Sequence, residues 1–170
     1  MTLITGGAKC GKSRLAEKLL NRCDCRKFYI AAMQPFGEEA EAAIARHRML
    51  RAGKGFETIE KYTALHELEL PENCAVLLEC MGNLCANEMF SESGVNDPTG
   101  RVIAGIEHLK KHSSELVIVT NNVGSDGINY TPETNMYIEV MGRLNAHTAA
   151  LSDNVIECVY GIPVVLKGKL

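Results

Sequence analysis

Residues 2–13 read TLITGGAKCGKS, a short apolar strand running directly into Gly6-x-x-x-x-Gly11-Lys12-Ser13. The spacing is that of a complete P-loop. Glycines let the backbone curl so that successive N–H groups face phosphate oxygens, and a side chain at those positions would block the approach. Lys12 supplies a point charge for the β- and γ-phosphates and Ser13 a hydroxyl for Mg²⁺. The helix that follows aims its positive end at the same anion. The flanks agree with this reading. Leu3 and Ile4 suit a buried parallel strand, and GKSRLAEKLLNR places Leu15, Leu19 and Leu20 at helical spacing. Gly6, Gly7, Ala8, Lys9, Cys10, Gly11, Lys12 and Ser13 are therefore the expected cradle for a nucleoside triphosphate, ATP or GTP.

Working outward, Arg26–Ala32 (RKFYIAA) reads as a second strand, broken by Pro35 and Gly37 before a helix over Glu38–Arg51. In that helix Ala40, Ala43, Ile44, His47 and Leu50 recur at helical spacing, ringed by Arg46, Arg48 and Arg51. His47 has two readings: a half-buried structural histidine, or a group working beside an anion. Three guanidinium groups around an imidazole are electrostatically poor until a phosphate pairs with them. FETI, at Phe56–Ile59, is a short strand, and TALHELEL gives one or two helical turns. Cys74–Cys80 (CAVLLEC) is a continuous apolar run ending in Glu79, as expected of a central parallel strand with a Walker B acid beside the P-loop. Such a carboxylate holds Mg²⁺ through water or acts as a base toward an attacking hydroxyl.

MGNLCANEMF continues as a helix, SESGVNDPTG as a loop, and Thr99–His112 as a helix with Val102, Ile106 and Leu109 toward the sheet. His108 and His112 stand four apart on it, a metal-binding spacing with no third ligand in reach, so they read as surface residues. Leu116–Thr120 is a further buried strand ending at Asn121-Asn122-Val123-Gly124, on the sheet edge where ligands bind in such folds. A long helix from Pro132 to Leu151 precedes two strands, Val155–Val159 and Val164–Leu166, about a Gly161-Ile162-Pro163 turn. The fold implied is α/β: a single domain over residues 1–170, with a doubly wound, mostly parallel P-loop sheet of RecA-like type and an antiparallel edge strand at the C-terminus.

The whole chain constrains the partners. It has 170 residues, enough for one sizeable core, and a formal net charge of −3. No global basic surface points to nucleic acid. Its 7 cysteines form no CxxC pair, which suggests a reduced, cytoplasmic protein. No apolar run reaches the length of a membrane span.

Taken together, TGGAKCGKS, FYIAAMQ, IARHRMLR, LLECMGNL, VTNNVG, GRLN at 142–145 and GIPVVLKG resemble, end to end and in order, the bifunctional adenosylcobinamide kinase and adenosylcobinamide-phosphate guanylyltransferase family of cobalamin biosynthesis. The T-G-G-A opening of the P-loop with the later H-R-x-x-R is the distinctive combination. The resemblance implies transfer of a γ-phosphate from ATP or GTP to adenosylcobinamide. It then implies transfer of GMP from GTP to adenosylcobinamide phosphate through a guanylylated histidine, a position that His47 matches. It further implies that Ala31, Ala32, Met33, Arg48, Met49, Leu50, Arg51, Glu60 and Glu79 contact the nucleotide or its Mg²⁺, and that the protein is a homotrimer. The family's turn after the fifth strand reads N-E-V-G where this chain has Asn122, and TNMYIEVM after Glu133 lacks the family's arginines. A rim of the His47 helix with the Asn96 and Asn122 loops is the expected corrinoid surface. The alternatives are a P-loop small-molecule or nucleotide kinase with no covalent intermediate, and a nucleotide-dependent switch. The guanine-reading N-K-x-D of switch proteins is absent from the sequence.

Overall fold

The computed structural model describes residues 1–35, 37, 42, 44–45, 48–49, 53–91 and 94–170. Seven strands form one sheet in the order β3-β2-β4-β7-β1-β8-β9. They are β1 (Thr2–Thr5), β2 (Arg26–Ala31), β3 (Phe56–Glu60), β4 (Cys74–Glu79), β7 (Glu115–Val119), β8 (Asn154–Val159) and β9 (Ile162–Lys167). All neighbours pair parallel except β8 with β9. Helices α1 (Lys12–Leu20), α2 (Met81–Met89), α3 (Thr99–His112) and α4 (Pro132–Leu151) cover the sheet.

The apolar runs exist because both sheet faces are buried. In β4, Cys74, Val76 and Leu78 pack into one cluster with Met81, Ile106 and Leu144, while Ala75 and Leu77 pack with Ala16 and Leu20 of α1 on the other face. The first five of the six β4 residues have 0% exposure. Strand alternation thus divides a continuous apolar sequence between two cores.

In the sheet, β7 separates β4 from the P-loop strand β1. Two expectations are corrected in detail. The terminal hairpin turns at Tyr160-Gly161, with Val159 opposite Ile162, and Pro163 lies within β9. An edge strand leaves one side without partners, so a residue lacking an N–H is tolerated there. Helix α2 stops at Met89, one residue short of the Phe90 end expected from the sequence, and Phe90–Ser91 (β5) pairs antiparallel with Gly94–Val95 (β6), where the sequence reads as loop from Ser91 onward. Strands of two residues are too short to show an alternation. Just before α3, Asp97 Oδ1 accepts from Thr99 N at 2.9 Å, and Pro98 stands at the N-cap.

Candidate active site

The P-loop leaves β1 at Gly6, whose φ of +140° and closeness to β8 admit no side chain: an added Cβ would sit 2.5 Å from the Cys158 carbonyl oxygen. The loop is braced by the terminal hairpin. Gly161 N–H donates to Cys10 O at 2.8 Å, and the Cys158 thiol donates to the same oxygen at 3.0 Å. Burial, followed by the hydrogen bond with Cys10, pushes the Cys158 thiol up from its ordinary value, so it is held as a donor. Sequence reasoning missed this brace, because nothing in GIPVVLKG marks which loop the hairpin touches.

Lys12 is buried, and its Nζ donates to Gly6 O at 2.9 Å and Gly7 O at 2.5 Å, which places the ammonium inside the curl of the loop. Ser13 Oγ donates to Glu79 Oε1. Glu79 therefore reaches the P-loop although β7 lies between their strands. Its other oxygen, Oε2, is buried without a hydrogen-bond partner. A carboxylate oxygen left bare beside a hydroxyl is suited to a hard cation or a water on it, so Ser13 and Glu79 fit Mg²⁺. Among the described residues no group of three or more His, Cys, Asp or Glu is placed to hold a metal. That pattern suits an ion whose remaining ligands are phosphate oxygens and water.

A cavity of about 320 Å³ lies over the loop, and Lys12, Ser13, Glu79, Asn83 and Asn121 supply its polar wall. Cys80, also on the wall, has its thiol pushed up chiefly by burial, so it stays neutral beside Glu79. Asn121 stands at the end of β7, and its backbone is fixed from α4: Asn145 Nδ2 donates to Asn121 O at 3.4 Å, and Thr120 Oγ1 donates to Asn145 Oδ1 at 2.7 Å. Asn145 is the last residue of GRLN, so that block serves to hold the turn. Asn122 N–H donates to Gly6 O at 3.4 Å, which brings its loop to the cradle. Asn96 instead accepts from Arg101 Nη2 at 2.5 Å and does not line this cavity.

A second cavity, of about 160 Å³, shares Ala31, Met33 and Ile44 with the first and continues toward β2 and β3. Arg48 and Glu60 form an ion pair in its wall, and Tyr62 donates to Glu60 Oε2 at 3.2 Å. Ala31, Met33, Arg48 and Glu60 are thus gathered on one side of the P-loop. Ala32 and Met49 line neither cavity. Ala32 is fully buried, its N–H donating to Glu79 O and its carbonyl accepting from Asn87, and Met49 is 78% exposed. His47, Leu50, Arg51 and Arg46 lie outside the described residues. His108 and His112 are engaged with backbone, at Leu68 O and His108 O, each at 2.8 Å.

Comparison with known proteins matches residues 2–166 to the family model described as cobinamide kinase / cobinamide phosphate guanyltransferase. A bifunctional adenosylcobalamin biosynthesis protein of Escherichia coli is 32% identical, over 98% of this chain and 99% of its own length. One from Pseudomonas aeruginosa is 30% identical, over 98% and 97%. Among solved structures, a Pyrococcus horikoshii protein known as PH0250 superposes with a TM-score of 0.54 at 9% identity, covering 100% of this chain and 87% of that one, which is a likeness of fold. Taken with a P-loop whose lysine, serine and facing acid converge on one cavity, the full-length match places this chain in the cobinamide kinase / cobinamide phosphate guanyltransferase family.

Proposed function

We propose that the chain carries out both reactions around one cradle: phosphorylation of adenosylcobinamide by ATP or GTP, and GMP transfer from GTP to adenosylcobinamide phosphate through His47. The observation that carries the reading is the meeting of Lys12, Ser13 and Glu79 in the wall of one cavity, with Glu79 Oε2 buried and, among the described residues, without a hydrogen-bond partner. Mg²⁺, when bound there, neutralises charge on the triphosphate. Lys12 and the loop N–H groups hold the phosphates. The acceptor's hydroxyl oxygen bonds to the γ-phosphorus while the bond to the β,γ-bridging oxygen breaks and the nucleoside diphosphate leaves, and Glu79 takes the hydroxyl proton.

In the second reaction a nitrogen of His47 bonds to the α-phosphorus of GTP while the bond to the bridging oxygen breaks and pyrophosphate leaves. An oxygen of adenosylcobinamide phosphate then attacks the same phosphorus, the N–P bond breaks and adenosylcobinamide-GDP forms. The imidazole is returned free, and one hard transfer becomes two easier ones. Arg48, and by position in the sequence Arg46 and Arg51, supply the cations that charge on the phosphate requires. Ala31, Met33, Arg48 and Glu60, with Leu50 and Arg51 by position in the sequence, make up the nucleotide's surroundings in this reading, whereas Ala32 and Met49 line neither cavity.

The protein works in the cytoplasm, a placement supported by seven cysteines that are all free and by the lack, among the described residues, of any helix long and apolar enough to cross a membrane. It assembles as a homotrimer, a reading supported by the apolar row Ile162, Val164 and Leu166 exposed on the edge strand β9.

The test is incubation with Mg²⁺ and GTP labelled at the α-phosphate, followed by denaturation and mass spectrometry, with His47→Ala alongside. A GMP adduct on His47, stable to base and labile to acid, that chases onto adenosylcobinamide phosphate is the expected result. Adduct formation by the His47→Ala protein would overturn the role given to His47.

A further inference from the structure

The two reactions act on different phosphorus atoms of a nucleotide, and the cradle has two mouths. One mouth opens toward β2 and β3, through the cavity that holds Arg48 and Glu60. The other opens toward the β8–β9 turn, where a cavity of about 600 Å³ runs from Gly7–Gly11 to Glu157–Gly161. The sheet order sets them on opposite sides: β4, β2 and β3 lie to one side of β1, and β8 and β9 to the other.

Phosphoryl transfer keeps the acceptor, the γ-phosphorus and the leaving oxygen roughly in line. Glu79, Asn83 and Asn121 line the first cavity beyond the ends of β4 and β7, so an acceptor whose proton goes to Glu79 enters from there. The rest of the donor must then extend the other way, over the β8–β9 turn. For GMP transfer the α-phosphorus must instead face the segment that carries residue 47, whose described members Ile44, Ala45 and Arg48 line the β2–β3 mouth. A single orientation serves one of these reactions.

Resting on the reading of the P-loop as a triphosphate site, we infer that it accepts nucleotide in two directions, and that the kinase donor lays its base on Tyr160 at the tip of the β8–β9 hairpin. Tyr160 is 94% exposed, and among the described residues no ion pair or hydrogen bond holds its ring elsewhere. It also sits at φ +50°, followed by Gly161 at +81°, in a two-residue turn that normally takes Asn-Gly. An aromatic in a backbone conformation that L residues disfavour needs a reason, and a flat face beside a phosphate cradle supplies one. Stacking has little base preference, which accords with a donor that is either ATP or GTP.

The experiment compares Tyr160→Ala and Tyr160→Phe in the full-length enzyme, assaying γ-phosphate transfer to adenosylcobinamide and GMP-adduct formation from GTP. The alanine variant is expected to raise the kinase KM for ATP about tenfold and leave the KM for adduct formation unchanged, while the phenylalanine variant matches wild type. Affinity for inorganic tripolyphosphate, which has no base, stays constant in both. Because the chain has no Trp, Tyr160→Trp adds a single indole, whose emission ATP quenches and tripolyphosphate does not. Equal effects on both reactions, no effect on either, or a change confined to oligomeric state would overturn the inference. If wild-type protein fails to bind tripolyphosphate, the triphosphate site itself falls. If it binds and forms the adduct but transfers no γ-phosphate, the second direction has no reaction to serve and only this inference falls.

Discussion

At the scale of single residues, the site turns on side chains whose neighbours leave them one task. Lys12 points into its own loop, and replacing it with alanine removes the charge aimed at the β- and γ-phosphates. Turnover should fall by about 10²–10³-fold with the thermal midpoint little changed, a contrast measured by steady-state kinetics beside calorimetry. Glu79→Gln keeps the shape and loses the anion beside Ser13. The Mg²⁺ concentration for half-maximal activity should rise roughly 10–100-fold, and a magnesium titration that matched wild type would remove Glu79 from the ion's surroundings. Asn145 stands one layer behind the cavity. Asn145→Ala leaves the fully buried Thr120 hydroxyl without its acceptor, which should cost about 1–3 kcal/mol in urea unfolding and loosen the Asn121 turn. Lys12 and Ser13 were legible in the sequence because a P-loop is a local motif with fixed spacing. Asn145 was legible only as part of a familiar block, since its partner lies 25 positions earlier and no pattern connects them.

At the scale of elements, most of the strands and helices follow from hydrophobic period and from Pro and Gly punctuation. What the sequence left open was which element touches which. The assignment of Glu79 to the site came from its place at the end of an apolar run, yet the interposed β7 could be seen only in the assembled sheet, because strand order depends on packing far along the chain. The brace between the terminal hairpin and the P-loop has a sharp consequence for two adjacent glycines. A methyl group on Gly6 meets a backbone carbonyl at 2.5 Å, whereas one on Gly7 meets nothing within 4 Å. Gly6→Ala should therefore lower stability by about 2 kcal/mol or more, and Gly7→Ala by no more than about 0.5 kcal/mol, as chemical denaturation would show. Helix α3 offers a titration. Hydrogen bonds from the Thr99 hydroxyl and N–H, with Arg143 against it, hold the Asp97 carboxyl below its ordinary value of 3.8. A depressed acid contributes its stabilisation above that ordinary value and loses it as pH falls through the folded-state value. Removal of these hydrogen bonds by Asp97→Ala should cost about 1 kcal/mol at neutral pH, with the difference from wild type shrinking below pH 3.8.

At the scale of the whole molecule, the edge strand β9 is the surface least accounted for by a single chain. Ile162, Val164, Val165 and Leu166 are 65%, 41%, 41% and 59% exposed along it. If the protein is the homotrimer proposed and these residues form its contact, Val164→Lys together with Leu166→Lys should give monomers in analytical ultracentrifugation, and a variant that still sedimented as a trimer would move the interface elsewhere. The sequence points to an antiparallel edge strand here, but which of its apolar side chains stay exposed depends on how the hairpin packs against the rest of the sheet. The sheet order also bears on how the enzyme comes into being on the ribosome. The phosphate-binding motif is complete by Ser13, but β1 hydrogen-bonds only to β7, beginning at Glu115, and to β8, beginning at Asn154. For most of translation the motif emerges with neither neighbour beside it, and it gains the strands that hold its shape only when nearly the whole chain has been made. A nascent chain halted before β8 thus carries the full signature of a nucleotide-binding protein without the means to bind.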